Sequence, residues 1–276
     1  MVIAMKTFNR SIDLKMYFSG DQLTDDHRTA YLDRIGVTDA MVREGPSLEF
    51  LRRLQNLHML AIPFEDLDIP GQRITLDLKS IAKKVIESNR GGFCYELNGL
   101  FHWLLSSLGY KVEMVSARVY NERNMQFGRD FDHLALLVHI NKRYLVDVGF
   151  GDSFRMPLPL PDGEVHDVSG HYRISQQDAE TFEVRKLTGA WIPQYRFTTL
   201  TRRFEDFREM CDFHQDDPSS HFRTRMLCSI ATPTGRVTLS NNSLTITDSD
   251  RKNKIEVSSQ EEFHLQLKKY FSIVLS

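Results

Sequence analysis

Cys94 has surroundings suited to a reactive thiol. It follows Gly91, Gly92 and Phe93 and opens an apolar run, with Leu97, Leu100, Phe101, Leu104 and Leu108 at helical spacing and Gly109 as the stop. A thiol in the first turn of such a helix lies beside unpaired N–H groups and the positive end of the helix dipole, which favours thiolate. The two glycines allow backbone and substrate to approach closely, and N–H groups of the same turn can hold an oxyanion. The competing reading is a buried packing cysteine, because free cysteine is among the most buried residue types.

A nucleophilic thiol needs a base, and the base needs an orienter. His102 lies eight positions further along the same helix, a rise of about 12 Å, and is out of reach. His133 opens a strand-like run, and the next such run, from Tyr144, carries Asp147 among apolar residues. A buried carboxylate is costly unless paired, and His133 is the nearest imidazole in hairpin terms. The register is open at this level. A two-residue turn at Asn141 and Lys142 sets Asp147 opposite Leu136, on the face His133 avoids; a bulge, or a turn one residue earlier, puts both on a common face. An ordinary core hairpin with a satisfied histidine is the alternative.

The elements that must position these residues fall into three stretches. The first is helical: Tyr31–Ile35, then a helix capped by Ser47 with Leu48, Leu51, Leu54 and Leu57 on one face and ended by Pro63. Asp77 caps another, with Leu78, Ile81, Ala82, Val85 and Ile86 as its apolar side. The second is β-branched and aromatic: Lys111–Tyr120, His133–Ile140, Arg143–Gly149, Phe182–Leu187 and Gln194–Thr199, with a proline-rich loop at Met156–Gly163. The third mixes a short helix at Phe204–Phe213, strands at Met226–Ala231, Arg236–Ser240 and Ser243–Asp248, and a final helix capped by Ser259. This order predicts an α+β chain, divided at 1–88, 89–200 and 201–276.

Composition excludes several classes. Of 276 residues, 41% are hydrophobic, enough for real cores, and 35 Lys+Arg against 37 Asp+Glu leave a net charge of −2. That is no footprint for nucleic acid. No stretch approaches the ~18–20 apolar residues of a membrane span, and the apolar opening Met1–Met5 is too short for a signal-peptide core. Three cysteines without a C-x-x-C pair fit a reduced, cytoplasmic protein. No metal is expected: Cys211 and His214 are three apart but lack a second pair of ligands. The Gly149-Phe150-Gly151-Asp152 stretch is no dinucleotide fingerprint.

Arg90-Gly-Gly-Phe-Cys94-Tyr-Glu-Leu-Asn98 resembles the nucleophile motif of the arylamine N-acetyltransferases. The segments His58–Leu67, Ser116–Val119, His133–Val138, Tyr144–Gly151 and Pro218–Phe222, with the pairs Cys228-Ser229 and Gly235-Arg236, are similar to the family's in the same order. The resemblance is to the bacterial type, since the vertebrate mid-chain insertion is absent. It implies an N-terminal helical bundle, a central β-barrel, a C-terminal α/β lid and a cysteine-protease-like catalytic core. It also implies a ping-pong reaction in which Cys94 takes acetyl from acetyl-CoA and passes it to a small aromatic amine or hydrazine. His133 is then the base and Asp147 its orienter. Phe93 and Phe131 would line the acceptor pocket, Asp132 would contact the acceptor, and Arg129, Phe213 and Ser219 would touch CoA. Family members carry Asn where this chain has Asp66, a departure expected to be tolerated. Without the resemblance, a cysteine amidase or peptidase and a non-catalytic binding protein compete for the same residues.

Overall fold

The computed structural model describes residues 23–249 and 251–275; the reading of Met1–Met5 lies outside them. The chain opens with α1 (Asp25–Arg34), α2 (Asp39–Val42) and α3 (Leu48–Ala61), then the two-residue strand β1 (Phe64–Glu65). The helix α4 (Leu78–Ala82) runs on into a π-helical turn at Lys83–Glu87 and is followed by α5 (Cys94–Ser107). The caps are those expected: Ser47 Oγ accepts from the Phe50 N–H at 3.1 Å, and Asp77 Oδ2 from the Ser80 N–H at 2.8 Å. Every residue of α5 from Cys94 to Ser106 is buried, so the nucleophile helix is the axis around which the other helices pack.

A nine-stranded antiparallel sheet follows, built from β2 (Lys111–Asn121), β3 (Gln126–Phe127), β4 (His133–His139), β5 (Arg143–Val146), β6 (Leu158–Pro159), β7 (Glu164–Asp167), β8 (Gly170–Gln176), β9 (Thr181–Leu187) and β10 (Trp191–Arg202). Its order is β6-β5-β4-β2-β10-β9-β8-β7, with β3 on the end of β2, and it curls into a nearly closed barrel. Alternation along β2 and β4 divides their side chains between two cores. Val112, Met114, Leu134 and Leu136 pack on the helices, whereas Val115, Ala117, Ala135 and Leu137 enter the barrel with Tyr172, Phe182 and Tyr195.

The last unit begins with a 3-10 turn at Phe204–Phe207, α6 (Arg208–Asp216) and a second 3-10 turn at His221–Arg223. Then come β11 (Leu227–Thr232), β12 (Gly235–Ser240), β13 (Ser243–Asp248), β14 (Arg251–Glu256) and α7 (Gln260–Phe271). Phe263, Leu267 and Phe271 of α7 cover the sheet at Val237, Leu239 and Leu244. β1 completes this sheet by pairing Phe64 with Ser229 and Glu65 with Cys228, so a segment of the helical region is stitched into the C-terminal unit.

Six strands lay outside the sequence reading: β1, β3, β6, β7, β8 and β14, with β6 inside the stretch read as a proline-rich loop. β14 is exposed at all six positions and reads Arg-Lys-Asn-Lys-Ile-Glu, an edge strand whose charges leave no apolar alternation to detect. β1 is too short to carry a pattern.

Candidate active site

The hairpin of β4 and β5 settles the open register. His139 pairs with Arg143 and Leu136 with Val146, and the Ile140 N–H donates to the Lys142 carbonyl at 3.1 Å. The loop therefore holds three residues, 140–142. Continued one residue past β5, this register sets Asp147 against Ala135, on the same face as His133. His133 Nε2 and Asp147 Oδ2 are 2.8 Å apart, and both residues are buried.

Asn98 ties the hairpin to the nucleophile helix. It lies one turn beyond Cys94 on α5, and its Nδ2 donates to the Leu134 carbonyl at 2.7 Å and to Asp147 Oδ1 at 2.9 Å. Its Oδ1 accepts from the Val148 N–H at 3.0 Å. Gly149 completes the join: its N–H donates to Asp147 Oδ1 at 2.9 Å, and a Cβ there would lie 2.8 Å from the Cys94 Cα. Only glycine lets this loop rest on the start of α5. Burial alone would raise the Asp147 carboxyl, but His133 beside it and the bonds from His133, Asn98 and Gly149 hold it below the usual range.

The start of α5 is braced from its other side. Glu96 Oε2 accepts from the Phe93 N–H at 3.0 Å, and Lys84 Nζ donates to both Glu96 oxygens at 3.0 and 3.1 Å. Arg90 grips Glu65 through two bonds, at 2.8 and 3.0 Å, and reaches Asp68 at 2.7 Å. Arg90 and Glu65 thus form a supporting ion pair beside the site. The glycines of the motif serve packing as well: a Cβ on Gly91 would lie 2.0 Å from the Pro63 carbonyl oxygen.

One expectation needs correction. The helix start does not by itself lower the Cys94 thiol. Burial pushes it well above its ordinary value, the Leu134 N–H opposes, and Asp132, Cys211 and Asp147 push it further up. Burial and these three neighbours outweigh one helix terminus, so the charged thiol needs a cation beside it. Asp66, outside the expected triad, lies in the same cavity as two of its members. A cavity of about 190 Å³ is lined by Cys94 and His133 together with Asp66, Asp132, Phe150, Phe222 and Arg225.

The remaining expected residues fall into two places. Asp132 is on the cavity wall and faces His214 Nε2 at 3.3 Å. Phe93 is fully buried, its ring 5.0 Å from Tyr95 and 6.1 Å from Phe222, behind the cavity wall. Phe131 packs edge-on against Phe207 at 5.2 Å and gives its carbonyl to the Tyr95 hydroxyl at 2.7 Å; neither it nor Phe93 lines the cavity. Arg129 lies 4.2 Å over the Phe213 ring, and Ser219 donates from both N–H and hydroxyl to Asp217 Oδ1, at 2.8 and 2.6 Å. Burden on Asp217 comes from those Ser219 bonds first and from Arg129 next, and both lower its carboxyl. Residues far apart in the chain thus meet on one surface beside His214. The aromatic Phe150 sits within the quoted Tyr144–Gly151 segment and had a signal; Arg225 had none.

Among the described residues no cluster of three or more His, Cys, Asp or Glu is arranged to hold a metal ion. No described helix is long and apolar enough to cross a membrane. All three cysteines are free and buried.

A family model described as N-acetyltransferase matches residues 47–276. Human arylamine N-acetyltransferase 1 is 31% identical over 273 residues, covering 89% of this chain and 93% of the human one. The chain belongs to the arylamine N-acetyltransferase family. Among solved arylamine N-acetyltransferases, the Bacillus cereus enzyme, described with a unique Cys-His-Glu catalytic triad, superposes with a TM-score of 0.84 at 27% identity, covering 92% of this chain and all of that one. The Mycobacterium marinum enzyme in complex with CoA gives 0.80 at 31% identity, covering 89% and 92%. The expected architecture of helical bundle, barrel and C-terminal α/β unit is therefore that of this acyltransferase family.

Proposed function

We propose that the protein transfers acetyl from acetyl-CoA to small arylamines and hydrazines by a ping-pong route through acetyl-Cys94. The observation that carries this reading is the 2.8 Å His133–Asp147 pair, clamped by Asn98, with His133 and Cys94 on one cavity wall.

His133 Nε2 is taken by Asp147, which leaves Nδ1 to receive the Cys94 proton. The cation so formed supplies what burial withholds from the thiol, and Asp147 stabilises that cation. Cys94 Sγ then attacks the acetyl carbonyl, the bond to the CoA sulfur breaks, and His133 returns its proton to the departing thiolate. In the second half the amine nitrogen attacks the Cys94 thioester. His133 takes the proton that nitrogen loses, and Cys94 leaves as thiolate. Arylamines are weakly basic and largely unprotonated near neutrality, so they can attack, and the aromatic wall of Phe64, Phe150 and Phe222 suits a flat ring.

Arg129, Phe213 and Ser219 are assigned to CoA and Asp132 to the acceptor. Arg129 stacked on Phe213 offers a cation and an aromatic face on one surface, a fit for phosphates and an adenine ring. A cytoplasmic setting belongs to the same reading and accords with three free thiols.

Intact-protein mass after mixing with acetyl-CoA tests it. The expected result is one added acetyl group on the wild type, none on Cys94→Ala, and its loss on adding an arylamine such as anisidine. Absence of both the adduct and CoA release overturns the reading in favour of an amidase or a binding protein.

A further inference from the structure

The cavity that Cys94 and His133 share holds one acid for which the reaction above has no use. Asp66 is 3% exposed, and its Oδ1 accepts from the Leu227 N–H at 2.6 Å. Among the described residues its other oxygen has no side-chain partner, and the side chain forms part of the cavity wall. The backbone holds it there from both directions, since the Asp66 N–H also donates to the Leu227 carbonyl at 3.2 Å.

The charged groups around it are few. Arg225 on the same wall attracts it, while the neighbouring Glu65, already committed to Arg90, repels it. Asp132, His133, His221 and Cys94 line the same cavity, and His214 Nε2 lies 3.3 Å from Asp132 Oδ1. Burial drives the His221 imidazole below its ordinary value, so it adds no positive charge near neutrality.

We propose that Asp66 is a specificity-determining residue, whose carboxylate on the cavity wall discriminates against acceptors that carry an anionic ring substituent. An anion on the acceptor ring would be confined with the carboxylates of Asp66 and Asp132, with Arg225 shared between Asp66 and the substrate. A neutral ring of the same size meets no such repulsion. The inference rests on the acetyl-transfer reading above.

The repulsion is set by pH. Burial raises the Asp66 carboxyl, against the Leu227 N–H and with help from Glu65, to about 7. Below that value the side chain is neutral and tolerates an anion; above it the charge appears. Two like charges about 8 Å apart in one small cavity, at an effective dielectric near 20, change a rate constant by about thirtyfold.

The test compares 4-aminobenzoate with 4-aminobenzamide, whose rings match in size and differ in charge, as acceptors for acetyl-CoA between pH 6 and pH 8. The ratio of their kcat/KM values cancels whatever pH dependence the shared acetyl-transfer steps carry, since those act on both. In the wild type the ratio is expected to fall about tenfold over this range, with a midpoint near pH 7. A flat wild-type ratio overturns the proposal without any variant. In Asp66→Asn, which keeps an oxygen for the Leu227 N–H, the ratio is expected to stay at its high value throughout; a fall that persists there overturns it as well. Intact mass separates the two failures. A thioester that forms on Cys94 and discharges to both amines with an unchanged ratio removes only the role of Asp66. No thioester at all removes the acetyl-transfer reading.

Discussion

Two buried polar networks flank α5, and they differ in what they leave open. On one side Lys84 and Arg90 meet Glu65, Asp68 and Glu96, five charges paired almost entirely with one another. Burial would discharge Lys84, yet Glu96, Glu65 and Asp68 outweigh it and raise the ammonium above its ordinary value. Their bonds end on each other and on the Phe93 and Leu67 N–H groups, so the cluster fixes where α5 begins. On the other side Asp147 is saturated by His133, Asn98 and Gly149, but the chain of bonds stops at His133, on a cavity wall. A closed network positions; a network with one open end can exchange a proton with something that enters.

Mutations on each side should separate these roles. The largest effect is expected for Asp147→Asn, which leaves the packing and removes the charge that stabilises protonated His133. Acetyl-Cys94 formation in rapid-mixing mass spectrometry should slow about 10³–10⁴-fold. A loss under tenfold would put the imidazolium outside the rate-limiting step.

Lys84→Met should do the opposite. It strands Glu96 and leaves Glu65 and Asp68 to Arg90 alone, and breaking buried ion pairs costs about 3–5 kcal/mol. Urea unfolding should show that loss, while kcat per folded molecule stays within a few-fold of wild type. A collapse of kcat at full folding would make the closed network catalytic.

Asn98→Ala sits between the two. It removes three hydrogen bonds that hold the hairpin to α5 and should cost about 3 kcal/mol of stability. As a positioning residue it should also lower kcat about tenfold with KM for the amine little changed, a split that loss of stability alone does not produce.

The smallest effect tests Asp66 in the fold rather than in turnover. Its folded pKa, about 7, lies above the ordinary 3.8, so its contribution is fully present below about pH 4 and is lost as pH rises through 7. Asp66→Asn should therefore gain about 2 kcal/mol relative to wild type on going from pH 5 to pH 8, read from denaturation midpoints. Parallel stability curves would place the Asp66 titration at its ordinary value.

Much of the site was legible in the chain because local chemistry announced it. Gly91, Gly92 and Phe93 before an apolar period marked Cys94, and a lone acid in an apolar strand marked Asp147. The caps at Ser47, Asp77 and Ser259 set three helix starts, since a side-chain oxygen three residues before an orphan N–H is a local geometric fact. The nine-residue motif around Cys94 carried the family.

The tertiary structure decided what depends on distance between segments. The three-residue loop at 140–142 chose the face of Asp147, because one residue of slip in a strand inverts every side chain. The thiol of Cys94 was read from its helix alone, whereas its protonation follows from burial and from acids 38 and more residues away in the chain. Asp66 was legible only as an exchange for Asn, and the pairing of β1 with β11 brings it to the cavity wall. Residue type and short spacing determine which groups are capable of chemistry; register and packing determine which of them share a cavity, because both are set by partners far along the chain.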